Sequence, residues 1–372
     1  MKRLLQFIAL TLIACQTQSQ RNNVLSVEQV AAIVHGEPAP TTLPPVPKSQ
    51  PQIEWKVQTP TQVTQIGENW NPSFSNDGQR IVYLSKFRTN HQQAQIYEYS
   101  FGTKKERRIT HQDGWIGQVR YIPNNSRIIF SSTTDEMKED LDKLVKESPD
   151  TKPLAREVLP GIPYAENLRE TPFELYTAEI DGSNITRITD SKGFDSVPTT
   201  SPSQRNVIFT SFRTGDGELF QWSITHRTIS RLTFAPGIDV QASFSVDGKQ
   251  LAWVHQPNAH SPTSWIIVGD ANGKKSSPLL KKLAGYVNPS WHPDNKTLIF
   301  SSNFEDEKNF ELYTYNFETK CVKKLTQDEA IDREPAFSPD GKKIIFTSNR
   351  NGSDQIYLMD FVTPDACMSV DN

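Results

Sequence analysis

The sequence lacks most of the features that would assign a protein to a common functional class. No apolar run reaches the roughly 18 residues that a membrane-spanning helix needs. There is no nucleophile elbow, zinc-protease motif or P-loop, and the 7 histidines show no metal-ligand spacing. The 40 Lys and Arg residues are outnumbered by 43 Asp and Glu residues, which argues against a generally basic nucleic-acid binder. We therefore expect no catalytic residue, no metal, no cofactor and no nucleic-acid partner.

Hydrophobic residues are also scarce, at 35% of 372 residues, although the chain contains 19 Phe, 10 Tyr and 7 Trp. Single hydrophobic cores stop growing at about 250–300 residues, so a chain of this length forms either two domains or one repetitive fold. A low hydrophobic content with many aromatic residues suits thin units rather than one thick core. The composition therefore favours an all-β fold made of such units.

The N-terminus has the pattern of a secretion signal. Two basic residues precede an apolar run at 4–14, which is too short to span a bilayer and typical of a signal peptide. The run ends in Leu-Ile-Ala-Cys, which resembles the bacterial lipobox, and the resemblance implies removal of residues 1–14 and acylation of Cys15. Gln16 follows and, by the same resemblance, favours the outer membrane. An ordinary secretory signal that contains a cysteine is the alternative.

Residues 15–60 are predicted to tether the folded part to this anchor. The segment 38–60 is rich in Pro, Thr and Gln and has no periodicity, as expected of an extended spacer. An ordered arm packed on the domain is the alternative.

The two remaining cysteines, Cys321 and Cys367, would lie in an oxidising compartment. A disulfide between them would tie the C-terminal tail to the preceding repeat. Two inert thiols are the alternative.

Self-comparison of the sequence reveals six repeats. The segment NPSFSNDGQRIVYLS at 71–85 recurs in related form at 118–132, 197–211, 241–255, 288–302 and 334–348. The successive steps are 47, 79, 44, 47 and 46 residues, so the second repeat carries an insertion, at about 135–170. Most repeats continue with two more strand-like segments, and four strands in about 45 residues indicate a β-propeller blade. The sequence therefore predicts an all-β, six-bladed β-propeller.

The last repeat stops after its third strand, and this sets the bounds of the predicted propeller. Residues 61–65, just ahead of the first blade, can supply the missing fourth strand and leave no long free edge. The propeller is thus predicted to span 61–361, with a tail at 362–372. Hairpin turns are predicted at the three Asp-Gly pairs, 77–78, 247–248 and 340–341.

The repeat, written xPxFSPDGxxIxFxS and followed by IY and LT, resembles the propeller of the TolB family over roughly residues 61–361. The resemblance implies the fold and is less specific for function. The same repeat occurs in binding proteins, in the propeller domains of peptidases and in some polysaccharide lyases.

One face of the predicted propeller, with the loops between second and third strands, collects candidate binding residues. Their positions are counted from the residue that corresponds to Pro72 in each repeat. Three acids precede it by three residues, five polar residues precede it by one, and three arginines follow the second strand: Asp195, Asp239 and Asp332; Asn71, Gln118, Gln241, Asn288 and Glu334; Arg88, Arg213 and Arg350. We interpret these as a channel mouth that binds a cation, a basic segment or a sugar. The alternative, implied by TolB-like repeats, is that the Asp and Arg residues bond across neighbouring blades.

The insertion at about 135–170 belongs to the same face. Its first part has apolar residues at helical spacing, and its Pro-rich second part carries Tyr164, an amphipathic binding candidate. We expect a helical cap that covers or shapes the mouth, because long loops in compact repeats are usually functional or disordered. A solvated decoration is the alternative.

These features favour a lipid-anchored propeller of the bacterial cell envelope that binds a protein partner through its channel mouth, without catalysis. We expect an outer-membrane lipoprotein that faces the periplasm. The alternative is a carbohydrate-active propeller enzyme such as a polysaccharide lyase. The resemblance implies metal and histidine ligands in the channel of such enzymes, and histidine is scarce at the mouth positions here.

Overall fold

The computed structural model describes residues 58–135, 172–191, 193–258, 261–362 and 367–368. These residues form 24 β-strands and no helix. The strands make six four-stranded blades, and two adjacent blades are joined into one sheet by a single parallel bridge. The prediction of an all-β, six-bladed propeller is therefore confirmed.

The strands are numbered in chain order, and β1 (Thr61–Gln62) pairs in the last blade. The strands of the first three blades are β2 (Glu68–Phe74), β3 (Arg80–Lys86), β4 (Gln95–Ser100) and β5 (Lys105–Arg108); β6 (Ile116–Tyr121), β7 (Arg127–Ser132), β8 (Glu174–Glu179) and β9 (Thr186–Arg187); β10 (Asp195–Thr200), β11 (Asn206–Thr214), β12 (Asp216–Ser223) and β13 (Thr228–Arg231).

The strands of the other three blades are β14 (Ile238–Phe244), β15 (Gln250–Gln256), β16 (Trp265–Asp270) and β17 (Ser277–Pro278); β18 (Tyr286–Trp291), β19 (Thr297–Ser302), β20 (Glu311–Asn316) and β21 (Cys321–Lys324); β22 (Asp332–Phe337), β23 (Lys343–Ser348) and β24 (Gln355–Asp360), with β1. Each blade is an antiparallel meander that begins with its innermost strand. We call the end of the propeller with the turns between first and second strands the turn side, and the opposite end the loop side.

The second strand of each blade is buried on both faces because neighbouring blades cover it. In β3, Ile81, Val82, Tyr83 and Leu84 are all fully buried. Val82 and Leu84 pack in one cluster with the second blade, whereas Ile81 and Tyr83 pack in another with the sixth. Each of the six blade boundaries has such an apolar cluster. This explains the continuous apolar runs of the second strands and the modest total hydrophobicity.

The predicted Asp-Gly turns join first and second strands on the turn side. Gly78, Gly248 and Gly341 have φ of 69°, 70° and 72°, a left-handed conformation that costs glycine little. The neighbouring carboxylates accept hydrogen bonds from a preceding serine; for example, Ser75 Oγ donates to Asp77 at 2.6 Å. These acids are therefore structural parts of the turns.

The segment that begins with β1 provides an outer strand for the last blade. Thr61 and Gln62 pair with Leu358 and Tyr357 of β24. Thr64 Oγ1 then accepts a hydrogen bond from the backbone N–H of Ile356 at 3.0 Å. Threonines after the fourth strand accept the equivalent bond in four other blades, at 2.8–2.9 Å: Thr110, Thr189, Thr233 and Thr326.

Cys321 and Cys367 form a disulfide, with their Cα atoms 5.5 Å apart. Next to it, the backbone N–H of Met368 donates to the carbonyl of Val322 at 2.8 Å. The described part of the tail therefore joins the outer strand of the fifth blade, β21.

Several predictions concern residues outside the described ranges. They include Cys15, the signal peptide at 1–14, nearly all of the tether and Tyr164 with its predicted helical cap. β7 ends at Ser132 and β8 begins at Glu174, so the insertion connects the second and third strands of its blade. Among the described residues, no helix is long and apolar enough to cross a membrane.

Candidate functional site

Six equivalent residues, one on each innermost strand, surround the centre of the propeller. We call them the ring residues: Asn71, Gln118, Val197, Gln241, Asn288 and Glu334. All six lie where the register of the innermost strand shifts, and five of them have positive φ, from 54° to 59°; Gln118 is the exception in φ. A β-bulge inserts an extra residue into the strand and re-aims its side chain.

Hydrogen bonds link ring residues of successive blades. Gln241 Oε1 accepts from the backbone N–H of Asn288 at 2.8 Å, and Asn288 Oδ1 accepts from that of Glu334 at 3.3 Å. Glu334 Oε2 accepts from the backbone N–H of Asn71 at 2.7 Å and from Thr347 Oγ1 at 2.7 Å. The fourth, fifth, sixth and first blades are thereby tied together around the channel.

This pattern changes at the second blade and stops at the third. Asn71 Oδ1 accepts from Arg120 Nη1 at 2.7 Å, whereas the backbone N–H of Gln118 donates to Ser131 within its own blade. Val197 has no polar side-chain atom to continue the pattern. Among the described residues, the buried atoms Gln118 Oε1 and Gln241 Nε2, on the two sides of the third blade, have no hydrogen-bond partner.

A cavity of about 530 Å³ extends from the ring residues to the turn side. Its outer rim consists of six equivalent turn residues, which we call the rim residues: Asn76, Pro123, Pro202, Val246, Pro293 and Pro339. Arg120 and Glu334 are the charged residues among those that line it. Burial lowers the pKa of the Arg120 guanidinium, and the negative charge of Glu334 opposes this shift.

The predicted Asp and Arg residues lie on the loop side and form clamps inside single blades. Arg213 Nη2 lies 2.6 Å from Asp195 Oδ2, and Arg350 Nη2 lies 2.7 Å from Asp332 Oδ2. Both aspartates are fully buried. In both clamps the acid is on the first strand and the arginine follows or ends the second strand of the same blade. Contacts to the preceding blade are made through its outgoing link, where Ser191 Oγ donates to Asp195 Oδ2 at 3.0 Å and Asp328 Oδ2 lies 3.9 Å from Arg350 Nη1.

Arg88 forms a third clamp with an amide in place of the acid. Its Nη2 donates to Asn69 Oδ1 at 3.0 Å, and its Nε donates to Ser85 Oγ at 2.6 Å. In all three clamps the guanidinium carbon lies over an aromatic ring of the third strand, 4.5–5.0 Å from the ring centre: Tyr97, Phe220 and Tyr357. Asp239 differs, because His255 Nδ1 and Trp253 Nε1 contact its Oδ1 at 2.8 and 3.2 Å.

Comparison with known proteins supports the propeller assignment. Residues 164–302 and 264–367 match the family PD40, the TolB beta propeller domain. The chain belongs to the TolB β-propeller family. It is 25% identical over 158 residues to the TolB homologue of Chlorobium luteolum, covering 42% of this chain and 35% of that protein. It is 30% identical over 125 residues to the TolB homologue of Chlorobaculum tepidum, covering 32% of this chain and 26% of that protein. The matches thus span about a third or less of these relatives.

Solved structures give the same fold at low identity. TolB from Acinetobacter baumannii superposes with a TM-score of 0.55 at 20% identity, covering 73% of this chain and 57% of that chain. An oligogalacturonate lyase in complex with manganese also superposes with a TM-score of 0.55, at 16% identity, covering 81% of this chain and 80% of that chain. Both likenesses show a TolB-type propeller fold and do not distinguish binding from catalysis.

The structure divides the predicted site residues of this TolB-family chain into two groups. Asn71, Gln241, Asn288 and Glu334 line the cavity. The aspartates and arginines named above do not line it and lie on the loop side. Their role in binding a partner remains a prediction.

Sequence reasoning missed Arg120, which lies two residues after ring residue Gln118. The other five repeats carry a small residue at this position: Ser73, Thr199, Ser243, Ser290 and Ala336. A large cation at one of six otherwise small positions was a detectable signal, because equivalent repeat positions have equivalent surroundings.

A second missed feature is a buried glutamate at or near the start of the third strand of three blades. Glu174, Glu218 and Glu311 lie near the clamp position of the next blade, and their pKa values are raised mainly by burial and further by Asp195, Asp239 and Asp332, respectively. The pKa of Glu311 rises to about 7. At the boundary between the sixth and first blades, amides take the places of the glutamate and the aspartate. Gln355 begins the third strand of the sixth blade, Asn69 lies on the first strand of the first blade, and Asn69 Nδ2 donates to Gln355 Oε1 at 2.8 Å.

Proposed function

We propose that this chain is a lipid-anchored propeller of the bacterial cell envelope that binds a protein partner through its central channel. The observation that carries the proposal is the cavity, which is lined by all six blades and reaches the surface at the rim residues. Membership of the TolB family supports a binding role. The likeness of the N-terminus to a lipobox supports anchoring through Cys15, at the outer membrane and facing the periplasm.

The rim is well suited to contact another protein. Four of its six positions are proline, and Val246 is 50% exposed. Proline has few conformations to lose, so a surface built from it is preorganised and loses little entropy on binding. Exposed apolar side chains at such a rim gain from burial under a partner.

Site-specific photo-crosslinking in intact cells tests this proposal. A photoreactive residue at Val246 should capture a protein partner, whereas one at Leu283 should not. Leu283 is a matched control because it is also apolar, is 70% exposed and lies on the loop side, in the link between the fourth and fifth blades. Adducts from position 283 alone would favour the loop side and its predicted cap, and adducts from neither position would contradict the proposal.

Anchoring is tested separately by Cys15→Ser. We expect the variant to leave the membrane fraction and to lose incorporation of labelled fatty acid, while the wild type keeps both. Unchanged membrane association would contradict the anchor but not the partner-binding rim.

We further propose that β1 acts as the fourth strand of the last blade and closes the ring, and that the insertion at about 135–170 caps the loop side. The pairing of Thr61 with Leu358 and the bond between Thr64 and Ile356 support closure. The position of the insertion between β7 and β8 supports a location on the loop side.

A carbohydrate-active propeller remains the second candidate, because an oligogalacturonate lyase shares the fold. In the described residues, no group of three or more His, Cys, Asp or Glu side chains is placed to hold a metal ion. These residues therefore do not fit a manganese site. Incubation with a panel of acidic oligosaccharides, followed by the ultraviolet absorbance of unsaturated products, tests this candidate, and any turnover would favour it.

A further inference from the structure

The channel contains a group of polar atoms that the fold leaves without partners. The backbone N–H of Asn288 donates to Gln241 Oε1, which fixes the amide orientation and leaves Gln241 Nε2 as a donor. Gln118 Oε1 is an acceptor. These residues are only 5% and 8% exposed, line the cavity, and have no hydrogen-bond partner for these two atoms in the described part of the chain. Buried polar atoms in native proteins are nearly always paired, so this donor and acceptor need an explanation.

Both atoms lie beside the blade that interrupts the ring of hydrogen bonds. Its ring residue, Val197, is β-branched yet has a φ of 59°. Such a residue rarely adopts this conformation, and backbone strain of this kind concentrates at ligand sites. Asparagine would favour the conformation and would offer an amide oxygen, as it does in the first and fifth blades. An apolar side chain instead gives a strained, non-polar patch between a donor and an acceptor.

Arg120 adds a positive charge to the same part of the cavity. Its Nη1 donates to Asn71 Oδ1 and to the carbonyl of Val119, both at 2.7 Å. Within the described ranges, no carboxylate lies at ion-pair distance from it, and its Nε and Nη2 make no hydrogen bond. Glu334 lies two blades away along the ring and uses Oε2 to accept from Asn71 and Thr347. The guanidinium therefore retains N–H groups that can bind an oxyanion in a forked geometry.

We propose that this part of the channel binds a small organic carboxylate that carries a neighbouring amide. The carboxylate accepts from Arg120, the amide carbonyl accepts from Gln241 Nε2, and the amide N–H donates to Gln118 Oε1. Val197 contacts the apolar group between them. A cavity of about 530 Å³ accommodates such a ligand. Two sources share this chemistry: the carboxyl end of a peptide and an acetamido sugar acid. The site goes beyond the partner-binding rim and does not depend on it.

Calorimetric titration of the full-length chain in mild detergent tests the assignment with three probes: acetyl-dialanine as the free acid, the same compound as its C-terminal amide, and N-acetylmuramic acid. We expect the free acid to bind at least about tenfold more tightly than the amide, because the neutral amide cannot form the charge-assisted hydrogen bonds that a carboxylate accepts from Arg120. Binding of the sugar acid alone would support the shared chemistry and assign the source to a sugar. Equal binding of acid and amide, or binding of no probe, would overturn the proposal.

Four variants locate the site. Gln241→Glu keeps an acceptor for Asn288 but replaces the donor with an anion, and Arg120→Gln removes the charge; each should weaken binding at least about tenfold. Arg120→Lys keeps the charge without the fork and should be intermediate. Ser290→Ala, on the cavity wall of the fifth blade, should change affinity less than about twofold. Melting curves verify folding, and undiminished binding by both folded Arg120→Gln and folded Gln241→Glu would overturn the assignment.

Discussion

The loop side and the channel of this propeller use the same repeat in opposite ways. On the loop side, buried aspartates meet arginines at 2.6–2.7 Å, and the arginines stack on aromatic rings. In the channel, Arg120 has no carboxylate partner among the described residues, and two buried amide atoms are unpaired. Arg350 donates to both carboxylate oxygens of Asp332 and so stabilises its own blade, whereas the unpaired groups beside the cavity are open to a ligand. The distinction depends on partners and not on residue type.

The largest expected difference between the two regions is in stability. Arg350→Ala leaves the carboxylate of Asp332 buried without its charged partner, and we expect it to lower the free energy of unfolding by about 3 kcal/mol. Ser290→Ala, on the channel wall, should cost less than about 0.5 kcal/mol. Urea denaturation measures both changes. Similar small losses for the two variants would remove the distinction between clamp and channel.

The second prediction concerns the pH dependence of stability that arises from the buried Glu311, at the boundary between the fifth and sixth blades. The folded protein keeps a proton on Glu311 up to pH about 7, whereas an unfolded glutamate loses it near pH 4.5. Over this range the folded state binds more protons, so the contribution of Glu311 to stability falls as pH rises, by a total of about 3 kcal/mol. Melting temperatures at pH 5 and pH 7.5 measure the loss.

Glu311→Gln provides the matched control for this pH dependence. The first and sixth blades already carry glutamine at the equivalent position, Gln95 and Gln355. The substitution should therefore be tolerated and should flatten the decline in stability between the two pH values. An unchanged pH profile in the variant would show that Glu311 is not the group responsible.

A smaller effect is expected at the outer strand that the N-terminal segment supplies. Thr64→Val removes the hydroxyl that accepts from Ile356 and donates to Gln355, at a cost of about 1 kcal/mol. Thr326→Val removes the equivalent hydroxyl in the fifth blade and should cost a similar amount. Urea denaturation of the pair compares the two strands directly. A loss at Thr326 without one at Thr64 would contradict closure of the ring by β1.

The last prediction is an effect of similar size and opposite sign, at Val197. Val197→Asn replaces a β-branched residue at positive φ by one that favours this conformation, and should stabilise the fold by about 1 kcal/mol. It should also weaken binding of the carboxylate probe, since it removes the apolar patch. Gln118→Asn is the control for stability, because Gln118 lacks positive φ and gains nothing from the change. Destabilisation by Val197→Asn would show that valine is required there for packing.

The repeat made most of the fold predictable from the sequence. Apolar runs such as Ile-Val-Tyr-Leu in β3 and the Asp-Gly turns have local physical causes, so they identify strands and turns without tertiary information. The six copies of the repeat then determine the number of blades. The sequence does not predict the cavity on the turn side, because its lining is mostly uncharged, whereas the acids and arginines gather on the loop side.

The division of the candidate residues between the cavity and the clamps has a specific cause. Asp195 and Val197 are two residues apart, so strict alternation along a strand places both side chains on one face. The register of β10 shifts between Ser196 and Thr199, and the bulge separates the two positions. Val197 lines the cavity, whereas Asp195 is buried against Arg213. Nothing in the local sequence marks this bulge, since its central residue differs among the blades.

The pairing of β1 with β24 also constrains the order of folding. β1 is synthesised before the first blade, and its partner strand lies nearly 300 residues later, at Gln355–Asp360. Residues 61 and 62 therefore remain unpaired while the first five blades are made, and they find their partner only when the last blade is complete. Contacts so distant in sequence form slowly because a long loop must close first. The nascent protein exposes an open sheet edge until its last strand arrives.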